Sequence, residues 1–328
     1  MKTNLLFCFL KEGGHNMSIL VMYAHSCEIQ VGLSCGPIFE TCFFTLESDN
    51  KGCLQKTIEG WIESALPKES ELELIVINES NSKGIVEEAD SLCIATSLGK
   101  RFGTQVFVVK ATNVSEYNPK ALITGTPAIN RGYNGDIFIF EYLARQQSKK
   151  LNKPMENANF IVANLDKEIH IGALSGGKVI DMISSENEGP FSETQSGGIP
   201  FGQLLDLCQT LGNEEKALRI ISEKSGLRGY LNPCDFTNIW SSVNEAVILV
   251  RSAFAYQIAK EIGAFSAVLK GNIDAIVLSG ELAKNTIFVK DLVQRIYFLG
   301  DIVIVPGNYG LIALLEEAKS ILKERINS

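Results

Sequence analysis

Apolar and polar positions change phase along this chain in a way that predicts strands first and helices after them, twice over. Residues 19–22 are apolar, a polar turn follows at 23–28, a second apolar run covers 29–33, Cys35-Gly36-Pro37 turns the chain, and a third run covers 38–44. The same order returns at 160–163, 164–168, 169–174, the turn Ser175-Gly176-Gly177, and 179–183. Short apolar runs bounded by turn residues read as strands, so each copy reads strand, loop, strand, tight turn, strand. A supersecondary unit recurring at about half the chain length points to duplication.

After each copy the period shifts. Helices are expected at 54–66 around Trp61, 85–102 and 137–151, with isolated buried strands at 74–77 and 106–109. Residues 152–157, with Pro154 inside, form the best linker candidate. The second half predicts helices at 204–210, 214–223, 246–262, 290–297 and 311–326, with strands at 275–278 and 302–305. Isolated strands alternating with helices favour parallel pairing. The expected fold is therefore α/β, with two related domains at 17–152 and 153–328 around a cleft. In helix 246–262 the stripe Val250, Ala253, Phe254, Ile258 and Ile262 is expected to face the core rather than a partner.

Composition narrows the class. The 328 residues are 45% hydrophobic and 21% charged, enough to bury a large core, and the formal net charge of −8 carries no basic block to hold a nucleic-acid backbone. No apolar run approaches the roughly 20 residues of a membrane span. Eight cysteines without CxxC or Cys/His metal spacing are expected to be reduced thiols in a cytoplasmic protein. Residues 5–10 are apolar but too short for a signal-peptide core. Lys11-Glu12-Gly13-Gly14 before Met17 is what a purine-rich ribosome-binding site would encode if translated, so residues 1–16 are expected to be a non-native or disordered extension, with Met17 the true start.

Residues 159–322 resemble butyrate kinase, of the acetate/butyrate kinase family in the actin-like ATPase superfamily. The resemblance rests on Gly177-Lys178-Val179-Ile180-Asp181, Glu188-Gly189-Pro190-Phe191-Ser192 with Ser196-Gly197-Gly198-Ile199-Pro200, residues 255–263 and 273–280, and Val305-Pro306-Gly307. A weaker likeness extends over the first half through Phe107-Val108-Val109 and Ile123-Thr124-Gly125, with a gap around residues 78–90. It implies a duplicated actin-like (acetokinase-type) fold, ATP and Mg²⁺ as cofactors, a short-chain carboxylate as phosphoryl acceptor, and an oligomeric enzyme.

Against that pattern the polar positions differ. The first hairpin loop, Asn-Pro-Gly-Ser-Thr-Ser-Thr-Lys in the family, corresponds here to residues 23–30. Tyr23 and Gln30 depart from it, Ser26 keeps a hydroxyl and Glu28 adds a carboxylate. The second loop, His-Leu-Gly-Gly-Gly in the family, is Asn164-Leu165-Asp166-Lys167-Glu168. A family aspartate falls on Ser115, an arginine on Leu122, a histidine on Asp136, a second arginine on Gln195, and an acidic residue on Asn308; the Gly-Gly of the adenosine loop is Gly280-Glu281. Phosphoryl transfer is positioning plus charge neutralisation, so these replacements predict weak or absent turnover.

The surviving candidates are Glu188 and Ser196 for catalysis, and Ser26, Lys167, Gly189, Gly197, Gly198, Gly280 and Gly307 for nucleotide or phosphate. The glycines among them also read as obligatory turns, His25 and His170 lack an adjacent nucleophile, and Glu186, Glu188 and Glu193 read as a solvated loop rather than a cation site. The expected function is a butyrate-kinase-family protein, catalytically impaired or inactive, acting as a scaffold or as the partner subunit of a related kinase. The alternative is an active short-chain carboxylate kinase using substitute residues.

Overall fold

The computed structural model describes residues 4–7, 18–25, 28–45, 51–68, 70–78, 88–110, 116–132 and 135–327. In chain order the strands are β1 (Asn4–Phe7), β2 (Ser18–His25), β3 (Glu28–Cys35), β4 (Ile38–Thr45), β5 (Leu72–Asn78), β6 (Gln105–Val109), β7 (Asn159–Leu165), β8 (Ile169–Ser175), β9 (Lys178–Ser184), β10 (Ala275–Gly280) and β11 (Ile302–Pro306). The helices are α1 (Lys51–Ala65), α2 (Glu88–Phe102), α3 (Ile137–Lys150), α4 (Phe201–Leu211), α5 (Glu214–Glu223), α6 (Gly226–Tyr230), α7 (Pro233–Thr237), α8 (Glu245–Val268), α9 (Thr286–Ile296) and α10 (Gly310–Asn327).

Two compact units result, residues 1–111 with 309–328, and residues 112–308. In the first, the sheet order is β1-β4-β3-β2-β5-β6; in the second it is β11-β10-β7-β8-β9. β2, β3 and β4 form an antiparallel meander to which β5 and then β6 add in parallel. β7, β8, β9, β10 and β11 repeat that pattern strand for strand. The repeat read from the sequence is thus a duplicated α/β unit of the actin-like type.

Alternation within the strands decides which helices each face receives. In the first unit Leu20, Met22, Val31, Leu33, Ile75 and Ile77 share a core with Ile58, Trp61 and Ile62 of α1 and Ile94 and Leu98 of α2. The opposite face of β2, β3 and β5 is covered by α10. In the second unit Ile161, Ala163, Ile171, Ile276 and Leu278 face Phe254, Ile258 and Ile262 of α8 and Phe288 and Leu292 of α9. α3 covers the other face, packing on β7, β8 and β9. Each fully buried aliphatic or aromatic side chain here stabilises by roughly 1.5–3 kcal/mol. The expected stripe on α8 is largely core: Phe254, Ile258 and Ile262 are buried, and Val250 and Ala253 pack against them.

Several expectations need correction. β2 runs on through Tyr23 to His25 and β3 begins at Glu28, so the first hairpin turn is shorter than the polar run suggested. β1 pairs antiparallel with β4, placing part of the expected N-terminal extension in the sheet; Met17 lies outside the described residues. A division at residue 152 does not match the compact units, because α3 belongs to the second sheet and α10 returns to the first. Residues 152–157 lie inside the second unit. Lys153 Nζ donates to both carboxylate oxygens of Asp274 at 2.6 and 2.8 Å, and the Asn159 amide donates to the same group at 2.8 Å. Among the described residues no helix is long and apolar enough to cross a membrane.

Burial alone pushes the Asp274 carboxyl up, but Lys153 and the Asn159 amide more than reverse it, leaving it below its ordinary value of 3.8. A depressed carboxylate contributes stability that is present above its unfolded pKa and lost as pH falls through the folded one. Asp274→Asn is therefore expected to destabilise the protein at neutral pH, with the gap to wild type narrowing below about pH 4, as checked by urea melts across pH.

Candidate functional site

One end of the second unit's sheet, where β7, β9 and β10 finish and β8 begins, brings most of the predicted residues together. Ser279 on β10, Asn164 on β7, His170 on β8 and Ser184 on β9 occupy one row across the sheet, as their pairing registers require. All four are buried, and among the described residues the hydroxyls of Ser184 and Ser279 have no hydrogen-bond partner. The row lies on the face covered by α3. A Cβ on Gly135, just before that helix, would stand 3.0 Å from His170 Cδ2. Asp136 takes the N-cap position of α3 without a side-chain capping bond.

The β7–β8 loop, where the resemblance implies glycines around phosphate, is held by its own carboxylates. Asp166 Oδ1 accepts from the Glu281 amide at 2.8 Å, and Oδ2 faces Asn308 Nδ2 at 3.5 Å. Gly280 and Gly307 exchange backbone hydrogen bonds at 3.2 and 3.0 Å, tying the ends of β10 and β11 together. Gly280 has φ +92°, and a Cβ there would stand 2.4 Å from the Leu165 carbonyl. The glycine is needed because the β7 backbone already fills that space. Glu281 in turn pairs with Lys284 at 2.7 Å. Lys167 is exposed at the loop tip.

Glu168 is drawn the other way. Gln195 Nε2 donates to its Oε1 at 3.2 Å, while Gln195 Oε1 accepts from Ser185 Oγ at 2.5 Å. Ser185 Oγ also accepts from the Ile169 amide at 3.0 Å. His170 Nε2 stands 4.0 Å from Glu168 Oε2. A neutral amide, Gln195, thus meets the Glu168 carboxylate in a part-buried network that also holds Ser185.

The loop at residues 184–198 packs backbone against backbone. A Cβ on Gly189 would stand 2.6 Å from the Ser184 carbonyl, one on Gly198 2.9 Å from the Glu188 carbonyl, and one on Gly197 2.4 Å from the Gly189 carbonyl. Gly197 also has φ +64°, which disfavours any side chain. These three glycines serve loop closure. Ser196 Oγ donates to the Gly197 carbonyl at 3.0 Å and its amide donates to Ile221 O at 2.8 Å, so it is locally tied.

Glu188 does not stand alone. Arg131, which sequence reasoning missed, donates from Nε to Glu188 Oε2 at 2.9 Å and from Nη1 to Asp181 Oδ1 at 3.2 Å and to the Ala121 carbonyl at 3.0 Å. This guanidinium reaches the backbone beside Leu122, whose own side chain is aliphatic. The sequence signal was its company of polar turn residues after Pro127, too weak to rank. Nearby, burial pushes the half-buried Glu261 carboxyl up; Lys260 and Arg131 oppose the rise and Glu188 adds to it. Glu193 pairs with Arg228 at 2.6 Å. Glu188 and Glu193 are therefore matched to arginines rather than to each other.

The first unit's hairpin is likewise filled. Tyr23 is buried and stacks on His25 with centroids 5.9 Å apart, and its ring lies 2.4 Å from where a Gly310 Cβ would be. Gln30 is its cross-strand neighbour. Asn78, also missed, clamps the end of β2 by donating to the Ala24 carbonyl at 2.9 Å and accepting from the Ala24 amide at 2.8 Å. Ser26 and Ser115 lie outside the described residues.

Comparison with known proteins agrees with this architecture. Residues 74–305 match the model of the acetokinase family. Butyrate kinase 1 of Clostridium acetobutylicum is 32% identical over 235 residues, 70% of this chain and 66% of that kinase's length. Among solved structures, acetate kinase from Porphyromonas gingivalis superposes with a TM-score of 0.77 at 15% identity, over 93% of this chain and 100% of that one. Acetate kinase from Entamoeba histolytica gives 0.74 at 15% identity, covering 93% and 99%, and a propionate kinase from Francisella tularensis gives 0.71 at 18%, covering 91% and 98%. The likeness to the solved structures establishes the fold, and the family match takes in the β7–β8 loop and Glu281 and ends just before Gly307 and Asn308: the chain belongs to the acetokinase family.

Proposed function

We propose that this chain is a butyrate-kinase-like protein in which phosphoryl transfer between ATP and a short-chain carboxylate is weak or lost, and that it serves as a scaffold or as the partner subunit of a related kinase. The observation that carries this reading is the Asp166 carboxylate on the Glu281 amide, at 2.8 Å. A phosphate charge brought within about 4 Å of that carboxylate meets repulsion on the order of 4 kcal/mol at an effective dielectric of about 20. The roughly 1.5–3 kcal/mol of a charge-assisted hydrogen bond does not offset it. Glu168 adds a second negative group, hydrogen-bonded to an uncharged glutamine, with His170 Nε2 4.0 Å away.

The residues at this corner therefore do not fit the ATP and Mg²⁺ that the family reaction uses. The retained segments, Gly189, Gly197 and Gly198 above all, support the same reading, since their space is filled by neighbouring backbone and their retention follows from folding. A soluble cytoplasmic setting and an oligomeric assembly accord with the family but belong to the proposal.

Two measurements test it. In thermal melts with millimolar ATP and Mg²⁺, no rise in Tm is expected, whereas a ligand at 100 times its Kd would stabilise the fold by about 2.7 kcal/mol. Acyl phosphate trapped with hydroxylamine from butyrate, acetate or branched carboxylates should stay at background; turnover by the purified protein would establish the active-kinase reading instead. Independently, Gly197→Ala is expected to destabilise the ligand-free protein by roughly 2–3 kcal/mol in denaturant melts, because its φ and the Gly189 carbonyl both oppose a side chain.

A further inference from the structure

β6 is an edge strand of the first sheet: β5 pairs with one side of it, and among the described residues nothing pairs with the other. Its residues Val106 to Val109 are all apolar, yet none is fully buried, in contrast to the neighbouring β5. Edges of this kind are normally blunted by charge, proline or a covering element, because they template strand addition. Here α2 packs on β5 and β6, and Arg325 of α10 donates to Gln105 Oε1 and lies 4.3 Å from the Phe107 ring centroid, while no described strand pairs along the open edge. Helix α2 closes on the strand at Gly99, where a Cβ would stand 2.6 Å from Val106 Cγ2. Elsewhere a groove of about 400 Å³ remains.

The groove has an apolar floor and a basic wall. Leu92, Val106 and Val108 supply the floor, with Leu92 42% and Val108 44% exposed. Thr96 and Thr104 add hydroxyls, and Lys100 is the one charged lining residue. Lys110 is exposed at the strand's C-terminal end. A groove between a helix and a free strand edge is the geometry in which an extended peptide adds to a sheet, with main-chain bonds giving affinity and alternate side chains giving specificity.

We infer that this edge is a docking site for an extended peptide of another protein, with alternating apolar residues flanked by carboxylates. The charge of the site selects this occupant. In a two-fold antiparallel pairing centred on Phe107, Lys110 of one copy would face Thr104 of the other and so approach its Lys100, like charge to like charge, whereas an acidic strand meets both lysines favourably. Five strand residues span about 17 Å, so a peptide of roughly seven residues covers the edge and reaches both cations.

The test uses the full chain and a fluorescein-labelled peptide, Asp-Val-Thr-Val-Thr-Val-Asp, followed by anisotropy. Saturable binding in the micromolar range is expected, weakened about tenfold or more by Lys100→Glu and by N-methylation of alternate peptide amides. A Lys-ended version of the peptide should prefer the Lys100→Glu variant, which separates charge pairing from loss of fold. Absence of saturable binding, or binding indifferent to both changes, would overturn the inference. So would a concentration-dependent dimer that Val108→Lys dissociates, since the edge would then belong to a second copy.

Discussion

The Asp166 carboxylate bound to the Glu281 amide fixes the character of the whole second-unit corner. It joins the β7–β8 loop to the end of β10, and its second oxygen faces Asn308 beyond β11. Three chain segments distant in sequence are thereby held together by one side chain. Around it lies the buried polar row of Ser279, Asn164, His170 and Ser184, in which two hydroxyls have no partner among the described residues. Such groups are costly to bury unless the surrounding packing enforces them. Here the β-sheet register enforces their placement, because each is the cross-strand neighbour of the next.

The charge arrangement follows from the same constraint. The cations around this corner are matched to carboxylates: Arg131 serves Glu188 and Asp181, Arg228 serves Glu193, and Lys284 serves Glu281. The glutamine at 195 completes the pattern by holding Glu168 through a neutral amide. In the first unit an aromatic ring, Tyr23, plays the filling role by packing against the first residue of α10. The two hairpins, related by duplication, are thus closed by different chemistry.

Much of the fold was legible because strands and helices impose different periods. The meander of β2 to β4 and its repeat in β7 to β9 stood out as apolar runs between turn residues, and α5 matched its expected span at both ends. α8 ran six residues beyond the expected end at 262, to Val268, since Phe265 continues the buried stripe and its packing outweighs the weak helix propensity of Gly263. What stayed hidden was long-range. No local signal tells that Lys153 reaches Asp274, that Arg131 bridges Ala121 and Glu188, or that α10 returns to the first sheet. Candidate site residues were legible only through the family pattern. That pattern located the loops but not the use of Asp166 as an internal ligand for a backbone amide, which depends on the close approach of Gly280 to Leu165.

On the proposed reading, the carboxylates of Asp166 and Glu168 close the corner to a nucleotide phosphate. Equilibrium dialysis of labelled ATP with Mg²⁺ against wild type and an Asp166→Gly, Glu168→Gly double variant tests it most directly. Negligible retention by wild type and measurable, saturable retention by the double variant is the predicted result. Saturable retention by wild type, equal to or tighter than that of the variant, would contradict it.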